Sequence, residues 1–487
     1  MEQLHEQFET PLYTALRQHI QKDCAHLHVP AHRQGEALPL LLKQQRFFQL
    51  DLTELPGLDN LHNPAGAIAR AQELAAKLYG AKATFFLVNG TTGGLQALLL
   101  AVCRPGQKIV VARNSHQSVL AGLVLSGADP VFLKPVLFHE FGIPVGVKPE
   151  KLAQVLGEEP EARGVLVVYP NYYGLAANLQ KLVELTHEAG KSFFVDEAHG
   201  AHFPFHPGLP AEALTCGADA VVMSMHKTGG SLTQSSFLHL NSNCLQAERV
   251  AEALSLLQTS SPSYLLMVSL DLARHQLAVQ GHALLQRSIG LALQTRAELN
   301  AVRGLEVLTE EHCVKYLGEG YTLDPTRITV NVRNLGLSGA QVASILAEKY
   351  NVNCELADYS NLVAVVGIGV DPEDCRRLVY GLKEISRQEA RPNRRLPEIP
   401  SLPALPRKKM TPREAWFKPA KKVRLESGAG CICAEWVAAY PPGVPVIYPG
   451  EEITPEVVEY LQFLKKNKVP LVGPADKLLE NVQVVAE

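Results

Sequence analysis

Short β-rich runs alternate with helical patterns through residues 60–290, and this alternation constrains the fold more than any other feature of the chain. The β-rich runs occupy residues 83–88, 108–112, 130–133, 164–168, 192–195, 220–224 and 236–240. Such spacing is typical of βαβ units, in which helices cover both faces of a largely parallel sheet. We therefore predict an α/β fold with its functional side chains at the carboxyl ends of the strands.

The rest of the chain divides into smaller parts. A long helical pattern over 264–303 leads into a smaller α+β unit, with strands predicted over 327–332, 352–356 and 362–366 and helices over 339–350 and 372–390. Repeated prolines exclude a regular helix over 391–413 and predict a surface linker. The predicted parts are an N-terminal arm (1–60), a large domain (61–290), a small α+β domain (291–390), the linker (391–413) and a C-terminal domain (414–487).

Composition excludes several classes of function. The net charge of −3 argues against a nucleic-acid partner. The sequence has no signal-peptide pattern and no apolar run near the roughly 18 residues that span a bilayer, so we expect a cytoplasmic protein without a membrane partner. Nine scattered cysteines predict reduced thiols. The close pair Cys431 and Cys433 lacks the second pair of a zinc site, so we assign it a structural role and expect no metal.

Two reactive residues follow predicted strands. Lys227 lies just beyond the strand over 220–224, and Asp196 directly follows the strand over 192–195. Pyridoxal phosphate requires both groups, because a lysine holds its aldehyde as an imine and a carboxylate keeps its pyridine nitrogen protonated. The pair predicts a pyridoxal phosphate site at one edge of the sheet.

A phosphate-binding turn is predicted after the first strand. Thr91 and Thr92 lie among glycines where that strand gives way to a helix, and small residues, amides and hydroxyls suit a phosphate. The turn lacks the spacing of a dinucleotide-binding motif or a P-loop, and alone it could be a purely structural glycine turn. Ser224 and His226 flank Lys227 and can donate to the same phosphate, although His226 could instead be a buried core histidine.

Other candidates keep two interpretations each. His116 follows the strand over 108–112 and could stack on a pyridine ring or cap the next helix. His199 could orient the cofactor or bond a backbone carbonyl, and Tyr172 could contact substrate or pack at the pocket rim. Ser260 and Ser261 belong to a hydroxyl cluster that by itself is an N-cap pattern before the long helix.

Longer motifs give the chain a resemblance to a known family. They are Thr10 to Tyr13, His28 to Gly35, Asp51 to Leu55, Asp59 to His62, Asp196 to His202, Ser224 to Gln234 and Tyr440 to Gly443. On these motifs the chain resembles, nearly end to end, the Orn/Lys/Arg decarboxylases, which are fold-type I pyridoxal enzymes with the architecture of aspartate aminotransferase. It is most similar to short biosynthetic members that lack an N-terminal wing domain. The chain departs from the family pattern at Ala31, Arg33, Asn171, Cys431 and Cys433.

The resemblance implies a role for each candidate. Lys227 would hold the cofactor as an imine, Asp196 would pair with the pyridinium nitrogen, and His116 would stack on the ring. The phosphate would be held by Thr91, Thr92, Ser224 and His226. Ser260 or Ser261 would reach the phosphate of a neighbouring subunit, so a homodimer would be the minimal active unit, with assembly of dimers possible. Lys227 and His226 are the candidate proton donors to Cα.

The resemblance also implies a basic amino acid as substrate and its carboxylate as the leaving group. Glu355 matches a small-domain glutamate that contacts the distal amine in inducible lysine decarboxylases. Asp358 could add a second carboxylate for a guanidinium fork, or it could be a loop residue in water. We therefore expect arginine, giving agmatine for polyamine biosynthesis, ahead of lysine, giving cadaverine, with ornithine third. A pyridoxal aminotransferase or aldolase, and a non-catalytic homologue, are the alternatives from other classes.

Overall fold

The computed structural model describes residues 5–22, 28–31, 34, 46–389, 396–397, 400, 402–440 and 443–486. Parts of two sequence motifs lie outside the described residues, namely His32, Arg33 and Gly35, and Pro441 and Pro442. The last residue of the predicted helix over 372–390 and residues 391–395, 398–399 and 401 of the predicted linker also lie outside them.

Helices and strands alternate through the first half of the chain. The helices are α1 (Pro11–Ile20), α2 (Ala67–Tyr79), α3 (Gly90–Val102), α4 (Gln117–Ser126), α5 (Pro149–Glu158), α6 (Leu179–Glu188), α7 (Met225–Thr228), α8 (Ala247–Leu257), α9 (Tyr264–Asn300), α10 (Glu310–Leu317), α11 (Gly339–Tyr350), α12 (Pro372–Glu389), α13 (Pro412–Phe417) and α14 (Pro455–Lys466). The strands are β1 (Ala83–Leu87), β2 (Lys108–Ala112), β3 (Asp129–Leu133), β4 (Leu137–Phe138), β5 (Ile143–Pro144), β6 (Gly164–Val168), β7 (Leu175–Ala176), β8 (Ser192–Asp196), β9 (Ala220–Met223), β10 (Ser236–Leu240), β11 (Glu306–Val307), β12 (Thr322–Leu323), β13 (Arg327–Asn331), β14 (Leu356–Ala357), β15 (Asn361–Val365), β16 (Ala420–Arg424), β17 (Val437–Ala439), β18 (Val444–Ile447), β19 (Leu471–Val472) and β20 (Asn481–Val485).

Seven strands form the main sheet, in the order β1-β10-β9-β8-β6-β2-β3. The pairs β2 with β3, β2 with β6, and β8 with β9 are parallel, whereas β10 runs antiparallel to both of its neighbours. Every residue of β9 and β10 is buried, as expected for apolar strands that are covered on both faces. The predicted α/β fold with a mainly parallel sheet is confirmed.

The chain divides into two compact units. The first unit comprises residues 1–102, 194–207 and 211–285, and the second comprises 103–193, 208–210 and 286–487. In the second unit, β11, β13, β15 and β14 form an antiparallel sheet whose apolar face packs with α11 and α12. A separate apolar core around α14, β17, β18 and β20 lies near the C-terminus. The buried residues of these two cores lie within the ranges predicted for the small α+β and C-terminal domains, whose boundaries stay a prediction.

Two local expectations were wrong. The strand predicted over 352–356 is limited to β14, because the left-handed Asn351 (φ 52°) ends α11 and the Val352 amide turns back to the Leu346 carbonyl at 3.1 Å. Helix α13 begins inside the predicted linker. At the N-terminus of this helix, the Thr411 hydroxyl accepts from the Glu414 amide. Pro412, in the first turn, has no amide hydrogen that would need an acceptor.

None of the helices within the described ranges is long and apolar enough to cross a membrane.

A buried ion pair attaches the N-terminal segment to α9. Arg274 bonds Asp271 at 2.7 Å, and both side chains are fully buried. The same guanidinium donates to the Gln7 carbonyl at 2.7 Å, and the other Asp271 oxygen accepts from the Leu12 amide at 3.0 Å. Each charge is thus compensated by the other and by backbone groups, as a buried pair requires.

We expect Arg274→Met to lower the free energy of unfolding by about 3 kcal/mol, because it leaves the Asp271 carboxylate buried without a cation. Urea unfolding followed by circular dichroism measures the change. Arg249→Met is the matched control, since the pair of Arg249 with Glu252 is exposed on α8 and should contribute under about 1 kcal/mol. Equal shifts in the two variants would contradict the anchoring role.

Candidate active site

The candidate site is assembled where three strands of the first unit end. Lys227 lies in α7, directly after β9, and Asp196 is the last residue of β8. Asp196 is aligned with Val222 in the parallel pairing of β8 and β9. Strand β1 runs in the same direction as β9, because β10 is antiparallel to both. The carboxyl ends of β1, β8 and β9 therefore share one edge of the sheet, as the sequence predicted.

The Lys227 amine contacts a buried histidine. Lys227 Nζ lies 3.1 Å from His199 Nε2, and His199 is only 3% exposed. Both interpretations given to His199 from sequence, orienting the cofactor and bonding a backbone carbonyl, stay open beside this contact. A neutral ring nitrogen accepts from an ammonium group, so His199 can orient the amine.

Asp196 is a buried carboxylate, with 3% of its surface exposed. Burial raises its pKa from an ordinary value of 3.8 to about 6, although the positive charge of Lys227 and the Ala198 amide oppose that rise. The Ala198 amide donates to Asp196 Oδ1 at 3.2 Å. Such a carboxylate would be stabilised by a cation placed against it, which is what a protonated pyridine nitrogen provides.

Hydroxyl groups gather at the N-terminus of α3. Thr91 Oγ1 lies 2.6 Å from Ser224 Oγ and 3.3 Å from Ser236 Oγ, and all three residues are buried. A Cβ on Gly94 would lie 2.6 Å from side-chain carbons of Leu87 and Val222, so only glycine lets α3 approach the sheet this closely. This cluster brings two of the predicted phosphate residues, Thr91 and Ser224, together.

The remaining predicted phosphate residues have different surroundings. Thr92 is exposed, and His226 is half-buried. His226 Nδ1 donates to the Ser235 carbonyl at 3.0 Å, since a carbonyl oxygen can only accept. Next to Lys227, the Thr228 hydroxyl is buried and has no hydrogen-bond partner within the described part of the chain. The buried carboxylate, the amine and this set of hydroxyls fit pyridoxal phosphate.

Ser260 and Ser261 are exposed in the segment that joins α8 to α9. The Thr259 hydroxyl accepts from the Ser261 amide at 3.2 Å, and His62 Nε2 donates to the Thr259 carbonyl at 2.8 Å. The segment is therefore held by local bonds while its serine side chains face outward.

His116 belongs to the second unit and caps α4. Its Nδ1 accepts from the Ser118 amide at 3.2 Å, and the ring is half-buried. The capping interpretation is thus confirmed. Capping uses one ring nitrogen and not the ring face, so it is compatible with stacking, which stays a prediction.

Glu355 is exposed and lies in a cleft of the small domain. The cleft has a volume of about 540 Å³, and its polar lining includes Asn353, Asp374 and Arg377. The Glu355 amide donates to the Val363 carbonyl at 3.0 Å, which fixes the backbone beside β15.

Asp358 is bonded by Tyr173 and by residues of its own loop, contrary to the alternative of a loop residue in water. Tyr173 donates its hydroxyl to Oδ2 at 2.6 Å, and the Ser360 and Asn361 amides donate to Oδ1 at 2.6 and 2.7 Å. The Asn361 side chain donates to both oxygens. Burial raises the pKa of Asp358, and these donors partly offset it. Both oxygens are thus engaged in fixing the loop, which disfavours the second-carboxylate role.

Tyr172 is partly buried against an apolar cluster that includes Phe138 and Phe141, as its packing interpretation predicted. Cys433 is buried, and its thiol donates to the Glu435 carbonyl at 2.9 Å. No group of three or more metal-ligating side chains comes together in the described ranges.

Several residues that shape the site were not predicted from the sequence. Ser236 and Thr228 were not singled out, nor were Tyr173 and Asn361, which bind Asp358. The run of polar residues before β10 could have indicated Ser236, and Asn361 lies only three residues after Asp358. The contact of Tyr173 with Asp358 joins segments distant in sequence, so no local pattern could have indicated it.

Comparisons with known proteins agree with this site. Residues 10–374 match the family "Orn/Lys/Arg decarboxylase, major domain", and residues 400–473 match "Orn/Lys/Arg decarboxylase, C-terminal domain". The chain is 40% identical to the arginine decarboxylase of Bacillus subtilis (strain 168), over 99% of both chains. The lysine decarboxylase LdcF of Francisella novicida has a TM-score of 0.86 at 21% identity, over 99% of this chain and 82% of that chain. The L-threonine transaldolase of Pseudomonas fluorescens, solved in its internal aldimine state, has a TM-score of 0.55 at 16% identity, over 76% of this chain and 77% of that chain.

The fold and the site define a fold-type I pyridoxal phosphate enzyme. Within that class, the chain belongs to the Orn/Lys/Arg decarboxylase family, and it is a pyridoxal phosphate-dependent decarboxylase.

We expect Asp196→Asn to stabilise the cofactor-free protein at pH 8 by up to about 3 kcal/mol. The same variant loaded with pyridoxal phosphate should be inactive. The folded-state pKa of about 6 exceeds the ordinary 3.8, so ionisation of Asp196 costs stability as the pH rises between these values. The gain should therefore be full above pH 6 and vanish near pH 4. Thermal unfolding across this range measures it, and a destabilised variant at every pH would contradict the prediction.

We expect Thr91→Val to raise the dissociation constant of pyridoxal phosphate about five- to tenfold, because it removes the central hydroxyl of the cluster. Titration of the cofactor-free protein, followed by visible absorbance, measures the constant. Thr186→Val is the control, since the Thr186 hydroxyl is equally buried but donates to the Leu182 carbonyl within α6. A similar loss of affinity in both variants would exclude a specific role for Thr91.

Proposed function

We propose that this enzyme decarboxylates L-arginine to agmatine and carbon dioxide, as a step of polyamine biosynthesis. The observation that carries the choice of arginine is the 40% identity, over 99% of both chains, to a relative named arginine decarboxylase. Its test is the product formed from each basic amino acid.

When bound, pyridoxal phosphate supplies an aldehyde that condenses with amines and a protonated ring that accepts the electron pair left on Cα when carbon dioxide leaves. Lys227 provides the amine that holds the cofactor, and His199 orients that amine across 3.1 Å. Asp196 keeps a proton on the ring nitrogen, since its buried charge gains a cation there. The Thr91 and Ser224 hydroxyls, together with Thr92 and His226, bind the phosphate.

The protein must also deliver a proton to the substrate Cα after carbon dioxide leaves. Lys227 and His226 are the candidate donors, because they are neighbours in α7 beside Asp196. The Nδ1 of His226 is committed to the Ser235 carbonyl, so only its Nε2 could transfer a proton. The Lys227 ammonium carries three protons on one rotatable group, and we favour it as the donor.

Substrate recognition is assigned to the second unit. Glu355 would bind the distal cation, since it is exposed in a cleft of the small domain. His116 would stack on the cofactor ring, and Tyr172 would line the rim of the pocket. Asp358 would act indirectly by fixing the loop that follows Glu355, because its oxygens are occupied by Tyr173, Ser360 and Asn361.

A homodimer in the cytoplasm is the proposed working form. Ser260 and Ser261 are exposed in the single chain. Residues that reach the phosphate of a neighbouring subunit must be exposed in this way before the subunits associate. Further assembly of such dimers is compatible with this arrangement.

Lysine is the second candidate substrate, and one observation weakens the preference for arginine over it. With Asp358 engaged in its loop, Glu355 is left as a single carboxylate, which suits a point-charge ammonium as well as a guanidinium. Ornithine remains third.

We expect the cofactor-loaded protein to release carbon dioxide and agmatine from arginine, and much less amine from lysine or ornithine. Chromatography of the amines, with each amino acid supplied separately, measures the preference. Cadaverine as the main product would replace arginine by lysine, and a keto acid or aldehyde would indicate an aminotransferase or aldolase. Lys227→Ala is the negative control, which should abolish turnover and the visible cofactor band while the protein stays folded.

We expect Glu355→Gln to raise KM for the basic substrate about tenfold or more, because a charge-assisted bond is replaced by a neutral one. Steady-state kinetics measure the change. Asp374→Asn is the control, since Asp374 lines the same cleft but has no proposed contact with the substrate. An unchanged KM for Glu355→Gln would remove Glu355 from the distal site.

A further inference from the structure

We propose that a buried ion pair, Arg113 with Glu451, positions His116, so that the C-terminal domain contributes to catalysis without touching substrate. The inference rests on the proposed function in one respect, the stacking of His116 on the cofactor ring. Arg113 and Glu451 would be positioning residues, since they act through the turn that carries His116.

The ion pair is bidentate and buried. Arg113 donates to the two Glu451 oxygens at 2.5 and 2.7 Å, and the two side chains are 4% and 2% exposed. A further guanidinium bond goes to the Val446 carbonyl at 3.1 Å. Two parallel bonds between planar groups fix orientation as well as distance.

Aromatic rings restrict the guanidinium further. Its central carbon lies 4.7 Å from the centre of the Phe132 ring and 4.4 Å from the centre of the Tyr448 ring. These two rings stack on each other at 4.6 Å. Cation–π contact with both rings holds the guanidinium plane in place, which a lysine ammonium could not reproduce.

Arg113 opens the turn that ends at His116. The Arg113 amide donates to the Leu133 carbonyl at 2.8 Å, and the Asn114 side chain donates to the Val145 carbonyl at 2.9 Å. The Ser115 hydroxyl donates to the Ala112 carbonyl at 2.7 Å, and His116 then caps α4. Each residue of the turn is thus anchored, and Arg113 is the one anchored to the C-terminal domain.

Glu451 is itself fixed within the C-terminal domain. Its Oε2 accepts from the Tyr448 amide at 2.8 Å, and its carbonyl accepts from the Cys433 amide at 2.8 Å. Apolar residues of similar volume would give comparable stability without the cost of desolvating two charges. The benefit of a charged pair at this position is therefore the orientation it imposes on the turn.

A double-mutant cycle on the holoenzyme tests the proposal. The variants are Arg113→Lys, Glu451→Gln, His116→Ala and the two double variants with His116→Ala. We expect Arg113→Lys and Glu451→Gln each to lower kcat about tenfold or more with a smaller change in KM, because the ring of His116 is displaced. The visible circular dichroism of the bound cofactor should change in both, and each double variant should be no slower than His116→Ala alone.

Arg274→Lys is the matched control, because it makes the same change in a buried pair that contacts the N-terminal segment. It should lower the unfolding temperature but leave the cofactor dichroism unchanged, and its effect on kcat should multiply with that of His116→Ala. If the effects of Arg113→Lys and Glu451→Gln on kcat also multiply with that of His116→Ala, the proposal is overturned and the pair is purely structural. If His116→Ala alone changes neither kcat nor the dichroism, the assigned role of His116 fails, which is distinguishable from failure of the ion pair.

Discussion

A carboxylate that is removed from water must gain a cation or keep a proton, and Asp196 is under that constraint at the end of β8. The parallel pairing of β8 with β9 places α7 and its lysine at the same sheet edge, and Lys227 already lowers the raised pKa of Asp196. The stability that the buried carboxylate costs the cofactor-free protein would be recovered if a protonated ring were bound against it. The fold and the cofactor chemistry therefore depend on one electrostatic requirement.

The hydroxyl cluster at the N-terminus of α3, where we propose that the phosphate binds, depends on the one antiparallel strand of the main sheet. Strand β10 lies between β1 and β9, and it brings Ser236 to Thr91 while its preceding residue, Ser235, receives the bond from His226. A wholly parallel sheet in chain order would place other residues beside α3. Strand order thus decides which hydroxyls surround the turn that is predicted to bind phosphate.

Local sequence patterns predicted the large elements and singled out the lysine and the aspartate to which we assign the cofactor chemistry. Apolar runs flanked by helical patterns located β2, β6 and β10, and Lys227 and Asp196 stood out because each follows such a run. The same patterns could not show that Tyr173 would engage Asp358, or that His199 would meet Lys227, because these contacts join segments that only tertiary packing brings together. The strand predicted over 352–356 was too long because a left-handed asparagine, which periodicity does not detect, reverses the chain there.

The ion pair of Arg113 with Glu451 also restricts how the C-terminal domain can evolve. Replacing either residue alone leaves the other charge buried without its partner. The two positions are therefore expected to change together or not at all. A chimera that takes its C-terminal domain from a relative would function only if the donor supplies a matching carboxylate. Recombination at the Pro-rich linker is therefore restricted by an interaction that lies far from the linker in sequence.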